Sequence, residues 1–511
     1  YVAGISIKNL AGNAVATIDQ NLIVDNYAED GGGIACIDAS PRITRNVIAW
    51  NFAQQNGGGI SCWRDSSPLI ANNVISANTA FTLDGVAVPV GGGGIFTTAD
   101  DLDGRPHPTA VSAPRIRNNV IVANGGKSPI GMGGGGLSMI DSNGGVPEVL
   151  NNTIVANNGA GIHWGSSALP GIALLPVLRN NLIAYNPAGL EMAVGTPDSA
   201  TIEFNCLYAN QMHGRPADYV GLDPRTGVDG NFTADPQLAH FEFADFHLQP
   251  GSSCIDAGMP LTEAEEWLDI DEEPRVVGAG IDIGADESSG QDWPRTEPRL
   301  HVRTDGDDAA DGLTWATAKR TIQAAVGVAR VRASEVWVAA GNYVEQIRLP
   351  AFVYLYGGFA GTEQVRGERD PQANATVVDG GGVPNVVISQ NAGYQVSAID
   401  GFTITGGGVY TGGQGLSKYG IGGNGGGLVL YLSSPIIAHN LITSNSLAYD
   451  NVSPPPGVAS LGAGIYCRAS YPTIVSNVIQ DNEILNDFDG SGGAIYRSEE
   501  HTSELQSRIT I

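Results

Sequence analysis

Three groups of side chains in this sequence could do chemistry. The segment TADDLDGRPH sets Asp100, Asp101 and Asp103 ahead of Gly104, with Arg105 and His107 just beyond. Closely spaced aspartates are hard oxygen donors of the kind Ca2+ takes. A carboxylate pair beside a cation and an imidazole is also the raw material of acid–base catalysis. The spacing does not complete an EF-hand loop, and a solvated loop uses the same residues. A second group, TDGDDAADG, holds Asp305, Asp307, Asp308 and Asp311; these are either Ca2+ ligands or caps of turns and of a following helix. The third, Asp269, Asp271, Asp282, Asp286 and Glu287, either holds a metal or builds structural turns. Ca2+ is the one cofactor these groups point to.

What must position them is a repeat. The hexapeptide Asn-x-apolar-x-x-Asn recurs nine times, starting at Asn21, Asn46, Asn73, Asn119, Asn152, Asn181, Asn205, Asn440 and Asn477. Upstream of most copies stands Pro-x-apolar, as at Pro41, Pro68 and Pro114, and further upstream a glycine run such as GGGI at Gly31 or Gly57. In the first array the copies follow one another at 25, 27, 46, 33, 29 and 24 residues. A unit of about two dozen residues is too short for a propeller blade. It suits three short strands per coil, with apolar residues alternating inward. Gly, Asn and Pro punctuate every segment, which excludes a helical solenoid. The expected fold is an all-β, right-handed parallel β-helix in which uneven spacings are loop insertions. The recurrent Asn is expected at a turn position, tolerating the left-handed backbone conformation and stacking its amide into a ladder along the axis.

The repeat then places other side chains. Arg42, Arg115, Arg117 and Arg179 fall on outward positions of the strand before the Asn turn, a basic stripe interrupted by Leu69, Ala71, Glu148 and Leu150. Trp63 is expected to point outward, either as a sugar-stacking platform or under a covering loop. Glycan-binding candidates are therefore Trp63, Arg115 and Arg117. Cys36 and Cys62 occupy equivalent places in adjacent coils, repeated by Cys467; they are expected to stack as buried thiols, within reach of a disulfide. His163 has no Ser or Cys partner that the sequence places beside it.

The repeat fades after Asn210, and a segment DPQLAHFEFADFHLQPGSSCIDAG from Asp235 leads to DIDEEPRVVGAGIDIGADE from Asp269. It resembles the closing segment of secreted bacterial β-helix proteins, and is expected to cap the open end of the solenoid, where strand edges are unpaired. Residues 1–286 are thus the later part of one β-helix, 287–299 a polar linker, and 300–496 the early part of a second. The second opens with a short amphipathic helix carrying Ile322, Ala325, Val326 and Ala329 on one face, its cap sought between Asp311 and Thr317. RSEEHTSELQS, Arg497–Ser507, breaks the pattern and resembles a translated sequencing adapter, so residues 497–511 are set aside as a non-native tail.

The repeat as a whole resembles the pectate-lyase-like β-helix superfamily, whose members include polysaccharide lyases, galacturonan hydrolases and adhesins. The resemblance implies a carbohydrate or cell-surface context but no one activity. The hydrolases' Gly-His-Gly segment and paired-Asp motifs are absent from this sequence. The expectation is a secreted or cell-surface protein that binds a polysaccharide or surface glycan without catalysis. Alternatives are a polysaccharide lyase or glycoside hydrolase working through Asp100, Asp101, Arg105 and His107, or a structural spacer. The net charge of −27 disfavours nucleic acid and anionic membranes, which are bound through Lys and Arg. It also repels acidic glycans unless Ca2+ or a local basic patch intervenes. No apolar run reaches transmembrane length.

Overall fold

The computed structural model describes residues 4–498 except 9–15, 82–90, 103–104, 106, 108, 128–132, 166–173, 213–214, 242–243, 263, 265–266, 291–298, 333, 409–424, 449–461, 469, 471 and 486–492. The chain forms two compact units, one of residues 1–241 and 245–295, the other of 242–244 and 296–511.

In the first unit the coils stack into three long parallel sheets, and four of them add a strand to a shorter fourth parallel sheet. The first long sheet has eight strands, from Ile5–Lys8 to Tyr219–Val220, and the other two long ones have seven each. Register is maintained from coil to coil, so like side chains stack in files. Ile34, Ile60, Ile95, Leu137, Ile162 and Leu190 follow one another in the first sheet. Ile43, Ile70, Ile116, Val149, Leu178 and Ile202 do so in the second. These files form one buried core along the axis. The glycine runs are needed where coils approach closely. Gly57 has φ +64°, and a Cβ there would stand 2.3 Å from the carbonyl oxygen of Ile60. At Gly59 a Cβ would meet the next coil's Gly94 carbonyl at 2.6 Å.

The asparagine ladder is present but differs from expectation in one respect. Each ladder Asn donates its Nδ2 to the Oδ1 of the Asn one coil on. The file runs from Asn46 through Asn73, Asn119, Asn152, Asn181 and Asn205 to Asn231, at 2.9–3.1 Å per step. The last residue of each hexapeptide makes a second ladder, Asn51, Asn78, Asn124, Asn157, Asn186 and Asn210. The left-handed residue, however, is the one before the Asn: Arg45 has φ 53°, Asn72 57°, Asn118 51°, Asn151 53° and Asn180 55°. That residue turns the corner with its side chain outside, while the ladder Asn points in and satisfies buried backbone groups.

The second unit repeats the plan with sheets of nine and five strands. Its first strand is Arg299–Val302, so the unit opens on a strand ahead of the helix Ile322–Arg332 rather than on the helix itself, and Ser334–Ala339 is the second strand. Ile322, Ala325, Val326 and Ala329 are all buried in its core. The helix cap is not found between Asp311 and Thr317: Asp311 caps Leu313 N, and Thr314 caps a short 3-10 turn. The helix is held instead by Glu345, which accepts from Ile322 N and Gln323 N at 2.8 Å each. Asn440 and Asn477 continue a ladder at 3.0 Å. Arg497 and Ser498 end the last strand, paired with Cys467 and Arg468; the rest of the set-aside tail lies outside the described residues.

Candidate functional site

The closing segment of the first unit does more than cap an end. Near the last coil, Phe232 bridges to Cys206. From Cys254 onward the chain returns along the flank of the solenoid, crossing coil after coil. Asn180 Nδ2 donates to Met259 O, Asn151 Nδ2 to Asp282 O, and Asn118 and Asn72 Nδ2 to Leu268 O, each at 2.9 Å. These four asparagines are the left-handed residues just before ladder asparagines. The doublets Asn72-Asn73, Asn118-Asn119, Asn151-Asn152 and Asn180-Asn181 therefore mark the coils that the strap crosses, a signal that was readable in the sequence. Leu150, Ala264, Trp267 and Ile281 make the apolar seam beneath it.

Where the strap meets the outer face of the second sheet, a groove of about 250 Å3 remains. Arg42, Arg45 and Arg117 line it together with Leu69, Ala71, Trp267 and Glu272. The Arg117 guanidinium lies 3.9 Å from the Trp267 ring centroid, a cation–π contact. Arg45 pairs with Asp19 and stands 3.8 Å from Glu272; its hydrogen bond, with that of Thr44, holds the Asp19 carboxyl below its ordinary value. Register explains the grouping: Arg42 and Arg115 flank Leu69, while Thr44 and Arg117 flank Ala71. The interrupted stripe is thus real, and its gap forms the groove floor. Arg115 is exposed but does not line the groove.

Beside the groove, carboxylates knot the strap to itself. Asp269 accepts from the backbone of Asp271, Glu273 and Glu287. Asp282 accepts from Asp256 N and Ser288 N. Arg275 is wholly buried; it pairs with Glu287 at 3.1 Å and donates to the carbonyls of Asp282, Gly284 and Asp286. Burial lifts Asp286 to about 6. Burial likewise lifts Glu287 to about 7, against the pull of Arg275. His247 sits between Asp245 and Asp271, with Nε2 2.6 Å from Asp271 Oδ2. Burial opposes its charge, but these two hydrogen bonds outweigh it and raise the imidazole to about 10.

The other candidates fall elsewhere. Asp103 lies outside the described residues. Asp101 stands 3.7 Å from Arg64, and its backbone N donates to Arg105 O. Asp100 is buried, with its backbone N bonded to Thr98. His107 Nδ1 accepts from Ala110 N at 2.9 Å, which makes it a turn cap. Asp305 pairs with Arg303 at 3.0 Å, Asp307 caps Ala309 N, and Asp308 accepts from Arg320 N, Thr321 N and the Thr321 hydroxyl. These contacts fit turn and cap roles for the entry-loop aspartates. Trp63 is 3% exposed, packed with Ile37, Phe96 and Ile140; its ring offers no face to a ligand. Cys36 and Cys62 are register partners, both buried as free thiols.

His163 does have a serine partner: Ser138 Oγ lies 3.2 Å from its Nδ1, because the two residues share a register position one coil apart. Insertion lengths hid this in the sequence. Burial pulls His163 down to about 4, so it is a neutral acceptor or donor. Ser138 is 1% exposed, and a Cβ on Gly91 would be 2.6 Å from its oxygen. The serine is thus covered while the histidine is half-buried, and the pair is a part-buried hydrogen bond between neighbouring coils.

Residues 2–171 match the family model described as "Right handed beta helix region". No curated protein matches the chain. Among solved structures, it is similar to one titled "Structure of PL6 family alginate lyase AlyGC", at 9% identity over 94% of this chain and 97% of that one. The TM-score is 0.15, and a likeness of that degree carries no argument. Among the described residues no helix is long and apolar enough to cross a membrane. The family match and the stacked parallel sheets together make the chain a right-handed parallel β-helix repeat protein.

Proposed function

We propose that this is a secreted or cell-surface carbohydrate-binding β-helix that takes a unit of an acidic polysaccharide in the groove under the strap. The groove carries the reading: among the described residues that line it, Arg42, Arg45 and Arg117 outnumber the one carboxylate, Glu272, on a chain of net charge −27. A local basic patch is what an acidic glycan needs on a protein that otherwise repels it. Guanidinium forks suit carboxylate or sulfate oxygens, and the Leu69–Ala71 floor suits the apolar face of a sugar ring. Pockets that engulf a drug-sized ligand run to ~300–1,000 Å3, so this groove grips one unit of a longer chain. Among the described residues that line the groove Glu272 is the one carboxylate, so the lining offers no carboxylate pair, which favours binding over cleavage. The secreted setting rests on the resemblance of the closing segment noted above.

The test is titration of the whole chain with oligomers of uronic acids and with neutral glucans of equal length. Binding of the acidic series alone is expected, with Arg117→Ala weakening it about tenfold, the loss of roughly one charged hydrogen bond. Equal affinity for neutral oligomers, or full affinity in Arg117→Ala, would refute the groove. Release of unsaturated or reducing ends from any substrate would instead establish an enzyme.

A further inference from the structure

We propose that His247, Asp271 and Asp286 form a site for a single divalent metal ion of the zinc class, which clips the strand Asp245–Leu248 to the loops of the closing segment. The site does not depend on what the groove binds.

The geometry comes first. The imidazole nitrogen and one oxygen from each carboxylate all lie within 4.8 Å of one another. Zinc bonds of ~2.0–2.2 Å in tetrahedral geometry set donor atoms roughly 3.4 Å apart, so small side-chain movements close the site. Asp271 is the donor best able to make them, being exposed. Asp286 is held on the other side, its Oδ2 accepting from Leu248 N at 2.8 Å, next to the histidine in sequence.

The surroundings are those of a metal ligand. Asp245 bonds the Nδ1 of His247, and a carboxylate behind a histidine fixes the ring and turns Nε2 outward to the metal. Three aspartates, 245, 271 and 286, thus surround one imidazole. Arg275, a wholly buried cation of the same segment, is committed to Glu287 and three carbonyls. A divalent ion would neutralise the excess negative charge. The donor set selects its class: Ca2+ takes six to eight oxygens, whereas an imidazole with two carboxylates suits zinc and its transition-metal neighbours. Three protein donors leave a fourth position for water.

The experiment strips the full chain with a chelator and titrates it with Co2+ and Zn2+, reading the visible spectrum and the heat of binding. One equivalent is expected. The five cysteines are alternative ligands, so the Co2+ spectrum should show d–d bands without a thiolate charge-transfer band. Asp271→Asn, a surface change checked for folding by circular dichroism, should weaken binding at least tenfold, and Asp245→Asn by about 10–100-fold through the histidine. No binding, a thiolate band, or unchanged affinity in both variants would overturn the site.

Discussion

The coil stack and the closing segment of the first unit bury polar groups by opposite means. In the stack the buried groups are neutral amides, each meeting a copy of itself one coil on, as from Asn73 to Asn119 to Asn152. In the closing segment they are charges, Arg275 with Glu287 and the carboxylates of Asp269 and Asp282, each satisfied by a different partner. A ladder of identical donors and acceptors tolerates coils of any number and insertions of any length, because only register matters. A charged knot fits once, and it is costly when any member is missing. The same contrast holds within a doublet: Asn119 points inward to the ladder, while Asn118 holds the strap.

The largest effect is expected in the knot. Arg275→Met would leave Glu287 buried without its cation and cost about 3–5 kcal/mol, measured as loss of hydrogen-exchange protection across residues 254–287 while the coils keep theirs. Adding Glu287→Gln should recover part of it; no recovery would mean that the carbonyl contacts of Arg275 matter more than its ion pair.

A middle effect separates the two members of a doublet. Asn119→Ala strands buried partners in two coils and should cost about 1–3 kcal/mol, read by urea denaturation of the whole unit. Asn118→Gly keeps the left-handed corner and removes one bond to Leu268 O, for about 1 kcal/mol, felt only in the strap. Equal, global losses at both positions would erase the distinction drawn between them.

The last expected effect is a pH dependence confined to the closing segment. Glu287 and Asp286 lie raised to about 7 and about 6, from 4.5 and 3.8, so the folded form holds their protons more tightly than the unfolded. Their contribution is complete below the ordinary values and is lost as pH rises through 6 to 7. His247, raised from 6.5 to about 10, adds a contribution that is lost only as pH climbs toward 10. In chelator, the strap's opening free energy from hydrogen exchange should therefore fall steadily from pH 5 to pH 9, while that of the ladder coils stays level. A strap that tightens with rising pH would reverse the assignment.

Much of the fold was legible in the residues. The hexapeptide fixed the coil, the inward files and the ladder, because β pairing with a period of two repeats wherever the sequence does. The Ile322–Ala329 face gave the helix for the same reason of periodicity. The site was less legible. Arg42 and Arg117 were readable as outward cations, but Trp267, which stacks on Arg117, is 150 residues further along and in no repeat. The Asn doublets were there to be read, yet their meaning depends on a segment that no periodicity announces. Trp63 went the other way: alternation put it outside the barrel, and packing with Phe96 and its neighbours then buried it.

Sequence by itself determined the repeating architecture, since each coil's hydrogen bonds and apolar contacts are made with a near copy of itself. Tertiary structure alone decided which way the closing segment runs, which coils it crosses, and that Ser138 meets His163 or that His247 meets Asp271 and Asp286. Those contacts join non-equivalent residues across insertions of unequal length, and no local preference specifies such a pairing until the chain has closed on itself.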